Sequence, residues 1–274
     1  SEDEAMIMVF CAIAGAGVAI GTRASSMPPL FTQRNPFIGM MRAAVLLNVL
    51  YTAYVIQFHG DPSIKGIYVI FYLVMAYAVT KVFGQVCGAF FFGLRIRTDL
   101  YERRNPAIAA FLFGFTLATG IVFGSSIWGE ADPLTDYEGG WWIPMGFFVM
   151  GWILLVIVTS LYLWREPGVF RQQMRQERDT GMAWSVALFM LISATIIHEG
   201  VSGDFWGWRH GFLGMGTIAL MLVGHEAILL FSGGGAAHRL PTAGHRMLER
   251  LLYIGLGLVV WLLNRLIDAA YTGG

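Results

Sequence analysis

Eight long apolar runs, separated by short clusters of charge, dictate what this chain can fold into. They fall at about residues 6–22, 38–58, 66–93, 107–126, 141–164, 182–199, 210–232 and 250–269. At about 1.5 Å per residue, a helix of such a length crosses a hydrocarbon core about 30 Å thick. With 56% of its 274 residues hydrophobic and only 13% charged, the chain reads as an all-α integral membrane protein. Eight transmembrane helices are expected, arranged as four helical hairpins with internal repeats. The 18 Lys and Arg balance the 18 Asp and Glu, which excludes a nucleic-acid-binding module. Cys11 and Cys87 lie in different apolar runs, so they suit neither a disulfide framework nor a cysteine metal site.

The leader Ser1-Glu2-Asp3-Glu4 is acidic where a signal peptide would be basic, so the first run is expected to stay in the mature chain. Basic residues are held on the cytoplasmic side during insertion. Arg23 and Arg34, then Arg95, Arg97, Arg103 and Arg104, then Arg165, Arg171, Arg175 and Arg178, then Arg239, Arg246 and Arg250 occupy alternate loops. The remaining loops hold Asp61, Glu130, Asp132, Asp136, Glu138 and Asp204, with Lys65 and Arg209 as their basic residues. Trp128, Trp141, Trp142, Trp206 and Trp208 crowd that acidic border, where an amphipathic indole is at home. Both termini are therefore expected on the periplasmic side of a bacterial inner membrane.

Internal repetition divides the chain further. Leu30-Phe31-x-x-Arg34-Asn35-Pro36-x-Ile38 recurs as Leu100-Tyr101-x-x-Arg104-Asn105-Pro106-x-Ile108, and Gly93, Glu102, Arg103 and Ile121 align with Gly168, Glu177, Arg178 and Ile196. Gly244-His245-Arg246 and Glu249-Arg250 form a looser echo. Asn is a good helix N-cap, and Pro at the first helical position gives up a donor that would be unpaired anyway. The expected units are a first hairpin at 1–60, a tandem hairpin repeat at 61–202 and a fourth hairpin at 203–274. Gly15, Gly17 and Gly21, then Gly84, Gly88 and Gly93, then Gly211, Gly214 and Gly216 mark close helix contacts, either within the chain or between subunits.

Asn105-x-Ala107-x-Ala109-Ala110, the helix ending in Gly124-Ser125-Ser126, the acidic-aromatic loop after it and Asp179-Thr180-Gly181-Met182-Ala183 carry a likeness. On these residues the central part, about 66–202, resembles the YjfL family of bacterial inner-membrane proteins, with tandem copies of a two-helix domain of unknown function. The second copy lacks the Asn, and flanking hairpins double the usual length. The resemblance implies a fold and a location. The run from Ala12 to Gly21 with Arg34-Asn35-Pro36 is also similar to the proteolipid hairpin of rotary ATPases. The rotor's carboxylate positions are Tyr54 and Gly124 here, so that likeness carries no rotor-type ion site with it.

Ionisable groups inside a bilayer are the default functional candidates. Lys81 lies in the middle of the third run, roughly 20 Å from either border, with Gln85 one turn away and Asn48 in mid-span of the preceding run. The three suggest an intramembrane polar path or substrate site, the alternative being a buried Lys satisfied by carbonyls or an amide. His198, Glu199, Asp204 and His210 could converge at the outer face as metal ligands, with His59 nearby. His225, Glu226, His238 and His245 lie toward the inner face. Two haems would need His198 with His210 and His225 with His238 or His245. Gly233-Gly234-Gly235 lacks the Lys-Ser or Lys-Thr of a phosphate loop, and no catalytic set stands out.

The reading that follows is a non-enzymatic multi-pass inner-membrane protein, a subunit of a larger assembly serving as scaffold or as an ion or solute path. A redox or metal/haem-binding subunit and a small-solute transporter are the alternatives. Expected partners are the lipid bilayer and other membrane subunits, or a second copy through glycine-rich helices, with no nucleic acid. Bound lipid is the expected cofactor, haem or a metal the alternative.

Overall fold

The computed structural model describes residues 2–24, 35–62, 64–129, 140–163, 172–202, 208–231 and 243–272. Among them there are helices and no strand: α1 (Glu2–Ala24), α2 (Pro36–Phe58), α3 (Ile67–Phe91), α4 (Pro106–Ser125), α5 (Trp142–Tyr162), α6 (Thr180–Val201), α7 (Trp208–Phe231) and α8 (Ala243–Thr272). All but α7 are long and apolar enough over their described residues to cross a membrane, seven helices in all. In α7 the apolar stretch among the described residues is the shorter Leu213–Ile228. Such an architecture is compatible with a multi-pass membrane protein.

Three helix starts follow from the side chain before them. Asn35 accepts from the Phe37 N–H at 3.0 Å, Asn105 from Ala107 at 2.9 Å and Ile108 at 3.3 Å, and Asp179 from Met182 at 3.1 Å. Each cap satisfies donors that the first turn leaves unpaired. One boundary and one helix geometry differ from the sequence expectation. α8 begins at Ala243 rather than near 250, because nothing from His245 to Arg250 breaks a helix, and this carries Glu249 into the span Gly244–Ile267. α3 is α-helical over Ile67–Val79, π-helical over Thr80–Cys87 and α-helical again over Gly88–Phe91.

The centre is built on α4 and α6. α4 is the most enclosed span, 83% of its apolar window being buried, against 11% for α1 and 17% for α8. It packs against α2, α3, α5 and α6, while α8 lies on α6 and α7, and α1 on α3. Small residues permit this closeness: a Cβ on Gly114 would come within 2.5 Å of the Ala187 Cβ. Gly15, Gly84, Gly88 and Gly214 likewise sit against Tyr77, Thr116, Phe115 and Ile196 of this chain, whereas Gly17, Gly21 and Gly216 face open space. Gly93 has φ +64° and turns the chain after α3.

The arginine-rich end of the bundle is stitched together by the same caps. The Asn35 amide donates to the Leu100 carbonyl at 3.2 Å, and the Asn105 amide to Met174 at 2.6 Å. Asp179 receives both terminal nitrogens of Arg246. Arg175 donates to the buried Asp99 carboxylate at 2.9 Å and to the Gly93 carbonyl at 2.6 Å. Arg178, at φ +54°, reaches the Arg103 carbonyl at 3.3 Å. Arginines that read as topology markers thus also tie consecutive connections together.

Candidate functional site

Two polar centres lie within the bundle, built on different helices. The first is a cleft of about 340 Å³ bordered by α1, α2 and α3 and by the turn at Ile96–Glu102. Lys81 and Gln85, both in the π-helical stretch, project into it with Arg42, Tyr77 and Tyr101. π-helical segments recur at functional sites because they re-aim side chains within a helix. The Lys81 ammonium donates to Gln85 Oε1 at 3.3 Å, and the Gln85 amide donates to the Met41 carbonyl at 3.3 Å. Lys81 is half-buried and Arg42 exposed.

Asn48 is placed elsewhere, on the side of α2 that meets α4. Its amide donates to the Thr116 carbonyl at 2.7 Å and to Thr80 Oγ1 at 3.3 Å. Its room comes from Gly120, where an added Cβ would fall 1.9 Å from the Asn48 Cγ. The polar link from Asn48 therefore runs to Thr80, next to Lys81, and on to the backbone of α4.

The second centre surrounds Glu249, which is 5% exposed. The Tyr162 and Tyr253 hydroxyls each donate to Glu249 Oε1 at 2.5 Å, and His225 Nδ1 lies 2.7 Å from the same oxygen. The His225 ring stacks on Tyr162 with centroids 3.9 Å apart, and Phe189 closes the pocket against both tyrosines. α5, α7 and α8 each supply a ligand to one carboxylate oxygen. A buried carboxylate must be hydrogen-bonded to remain charged, and two tyrosine hydroxyls, with the His225 ring beside them, meet that need.

Among the sequence candidates, His225 enters this centre. His198 lies at the other end of α6, its ring at 4.7 Å from Trp128, which in turn stacks on His59 at 3.7 Å. His198 Nδ1 is buried with no hydrogen-bond partner among the described residues. Glu199 follows it at the end of α6, and His245 lies in the first turn of α8. Asp204, His238 and the side chain of His210 lie outside the described residues. No group of three His, Cys, Asp or Glu side chains able to hold a metal ion occurs among the described residues.

Arg42, Glu249, Tyr162 and Tyr253 are absent from the sequence candidates. Glu249 and Tyr253 stand four residues apart and so share a helix face, a signal visible only once α8 is extended back to Ala243. Arg42 sits inside an apolar run without interrupting it.

A protein-family model described as Domain of Unknown Function (DUF350) matches residues 61–201, about half of the chain and the part that holds α3 to α6. No curated protein and no solved structure matches the chain.

Proposed function

The chain belongs to this DUF350 family, and we propose that it is a non-enzymatic, multi-pass inner-membrane subunit that provides an ion path, with protons as the moving ion. The observation that carries this reading is the Glu249 centre inside the span Gly244–Ile267. Glu249 lies five residues inside that span and is buried, and taking a carboxylate out of water is costly, so a chain keeps one for a use. Here the carboxylate is within hydrogen-bond reach of His225, whose imidazole can both accept and donate a proton. A proton passed between Glu249 and His225 needs no movement of backbone, and Tyr162 and Tyr253 supply hydroxyls to hold the anion while it waits.

The accompanying architecture is eight spans in four same-way hairpins, with both termini periplasmic and the arginine-rich end cytoplasmic. The caps at Asn35, Asn105 and Asp179, each reaching the next connection, support an internal repeat. The low burial of α1 and α8 leaves those helices to lipid and to neighbouring subunits or a second copy.

Proteoliposomes carrying an internal pH dye and an imposed potassium diffusion potential test the proposal. Wild-type vesicles should acidify or alkalinise faster than empty ones, and Glu249→Gln should abolish the difference while eluting from size exclusion as wild type does. Wild-type vesicles no leakier than empty ones, or Glu249→Gln vesicles as conductive as wild type, would overturn it.

A further inference from the structure

The cleft bordered by α1, α2 and α3 has the shape and charge of a lipid seat. Its lining contains two cations, Arg42 and Lys81, and no carboxylate among the described residues. Its volume falls within the range of small-molecule sites. Its mouth is marked by Tyr101, in the turn at the arginine-rich end, and a tyrosine is suited to the level of lipid headgroups. Arg42 stands about 9 Å along α2 from Pro36, and Lys81 no more than about 15 Å from Phe91. Arg42, near the start of α2, can lean toward that mouth, as basic side chains near helix ends do, while Lys81 lines the cleft deeper in, against Gln85. Farther in, the walls turn apolar with Leu46 and Val49, and the stretch of α2 from Ile38 to Val49 offers a groove roughly 16 Å long.

One cation near the mouth and a second deeper in, an aromatic hydroxyl at the mouth and an apolar groove leading inward match one occupant. We propose that this cleft binds a single anionic phospholipid. Its phosphate lies between Arg42 and Lys81, Gln85 and Tyr101 are within reach of the headgroup, and one acyl chain follows the groove along α2. A guanidinium gives bidentate contact to phosphate and an ammonium adds a point charge. Lys81 and Gln85, four residues apart in the π-helical stretch, both line this one cleft. The site is separate from the Glu249 centre, which is built from α5, α7 and α8, and stands or falls independently of proton conduction.

The purified full-length protein, exchanged into mixed micelles of phosphatidylglycerol and phosphatidylcholine in equal parts, provides the test, with bound lipid read by native mass spectrometry. Wild type should retain phosphatidylglycerol preferentially. The doubly substituted protein Arg42→Gln, Lys81→Met should lose that preference by about twenty-five-fold, about fivefold for each basic residue. The charge-preserving pair Arg42→Lys, Lys81→Arg should keep most of it, which separates binding from folding. Arg97→Gln, at an exposed arginine paired with Glu102, should behave as wild type. Equal retention of the two lipids by wild type, or undiminished phosphatidylglycerol on the Arg42→Gln, Lys81→Met protein, would overturn the proposal. Displacement of the lipid by millimolar inorganic phosphate would also overturn it, by showing a site for free phosphate rather than for a lipid.

Discussion

Asn105 caps α4 with its side-chain oxygen and, with the amide of the same side chain, donates to the Met174 carbonyl at 2.6 Å, a residue sixty-nine positions further on. One buried side chain thereby starts a helix and holds down the next connection. Asn35 does the same toward Leu100. At the third helix start the residue is Asp179, which has no amide to donate, and its partner is accordingly a cation, Arg246. The switch from Asn to Asp at this position thus has a physical counterpart in what it faces.

Asn105→Ala should destabilise the purified protein by about 2–3 kcal/mol, combining a lost cap with a buried carbonyl left without its donor. Asn105→Asp keeps the cap but sets a carboxylate against the Met174 oxygen, so it should be at least as damaging. Denaturation in mixed micelles measures both. An Asp variant as stable as wild type would mean that the Met174 contact contributes nothing.

Asp179 supplies a pH dependence whose sign can be worked out. Burial alone would raise the pKa of its carboxyl, but the Arg246 guanidinium and the Met182 N–H together hold it below the ordinary 3.8. A group depressed in the folded state contributes stability in full above its unfolded pKa. That contribution falls away as pH drops from about 3.8 through the lower folded value. Melting temperature measured between neutral pH and pH 3 should therefore decline more steeply for wild type than for Asp179→Asn. Parallel curves would show that the pair carries no such linkage.

Gly120→Ala should be costly although both residues are small. Its methyl would collide with the Asn48 side chain, forcing the amide off the Thr116 carbonyl, at an expected loss of about 1–3 kcal/mol. Asn48→Ala opens room for that methyl, so the double variant should be more stable than the sum of the single losses. Simple additivity in the cycle would show that the two positions do not couple.

The orientation proposed for the bundle makes Arg103, whose side chain is 60% exposed, a cytoplasmic residue. In intact cells Arg103→Cys should resist a membrane-impermeant maleimide, and Ser1→Cys should react. Labelling of the Arg103 loop from outside would reverse the assignment.

Hydropathy and local chemistry were enough to mark seven long apolar helices among the described residues, the Asn starts of α2 and α4 and the arginine-rich connections, because a span's length and a cap's hydrogen bond depend on residues a few positions apart. Lys81 and Gln85 were legible as a pair for the same reason, being four residues apart on one helix. Only the tertiary structure decided which helix is enclosed and which groups meet. A span such as α4 is apolar on every side, so its sequence carries almost no record of which face is inward. Glu249 acquires His225 from one helix and Tyr162 from another. Asn48 is drawn to Thr116 by the absence of a side chain at Gly120, and Arg42 shares a cleft with Lys81 because α2 lies beside α3. These meetings join residues far apart in the chain, and in a hydrocarbon medium it is close packing of particular surfaces, rather than the segregation of apolar from polar, that selects them.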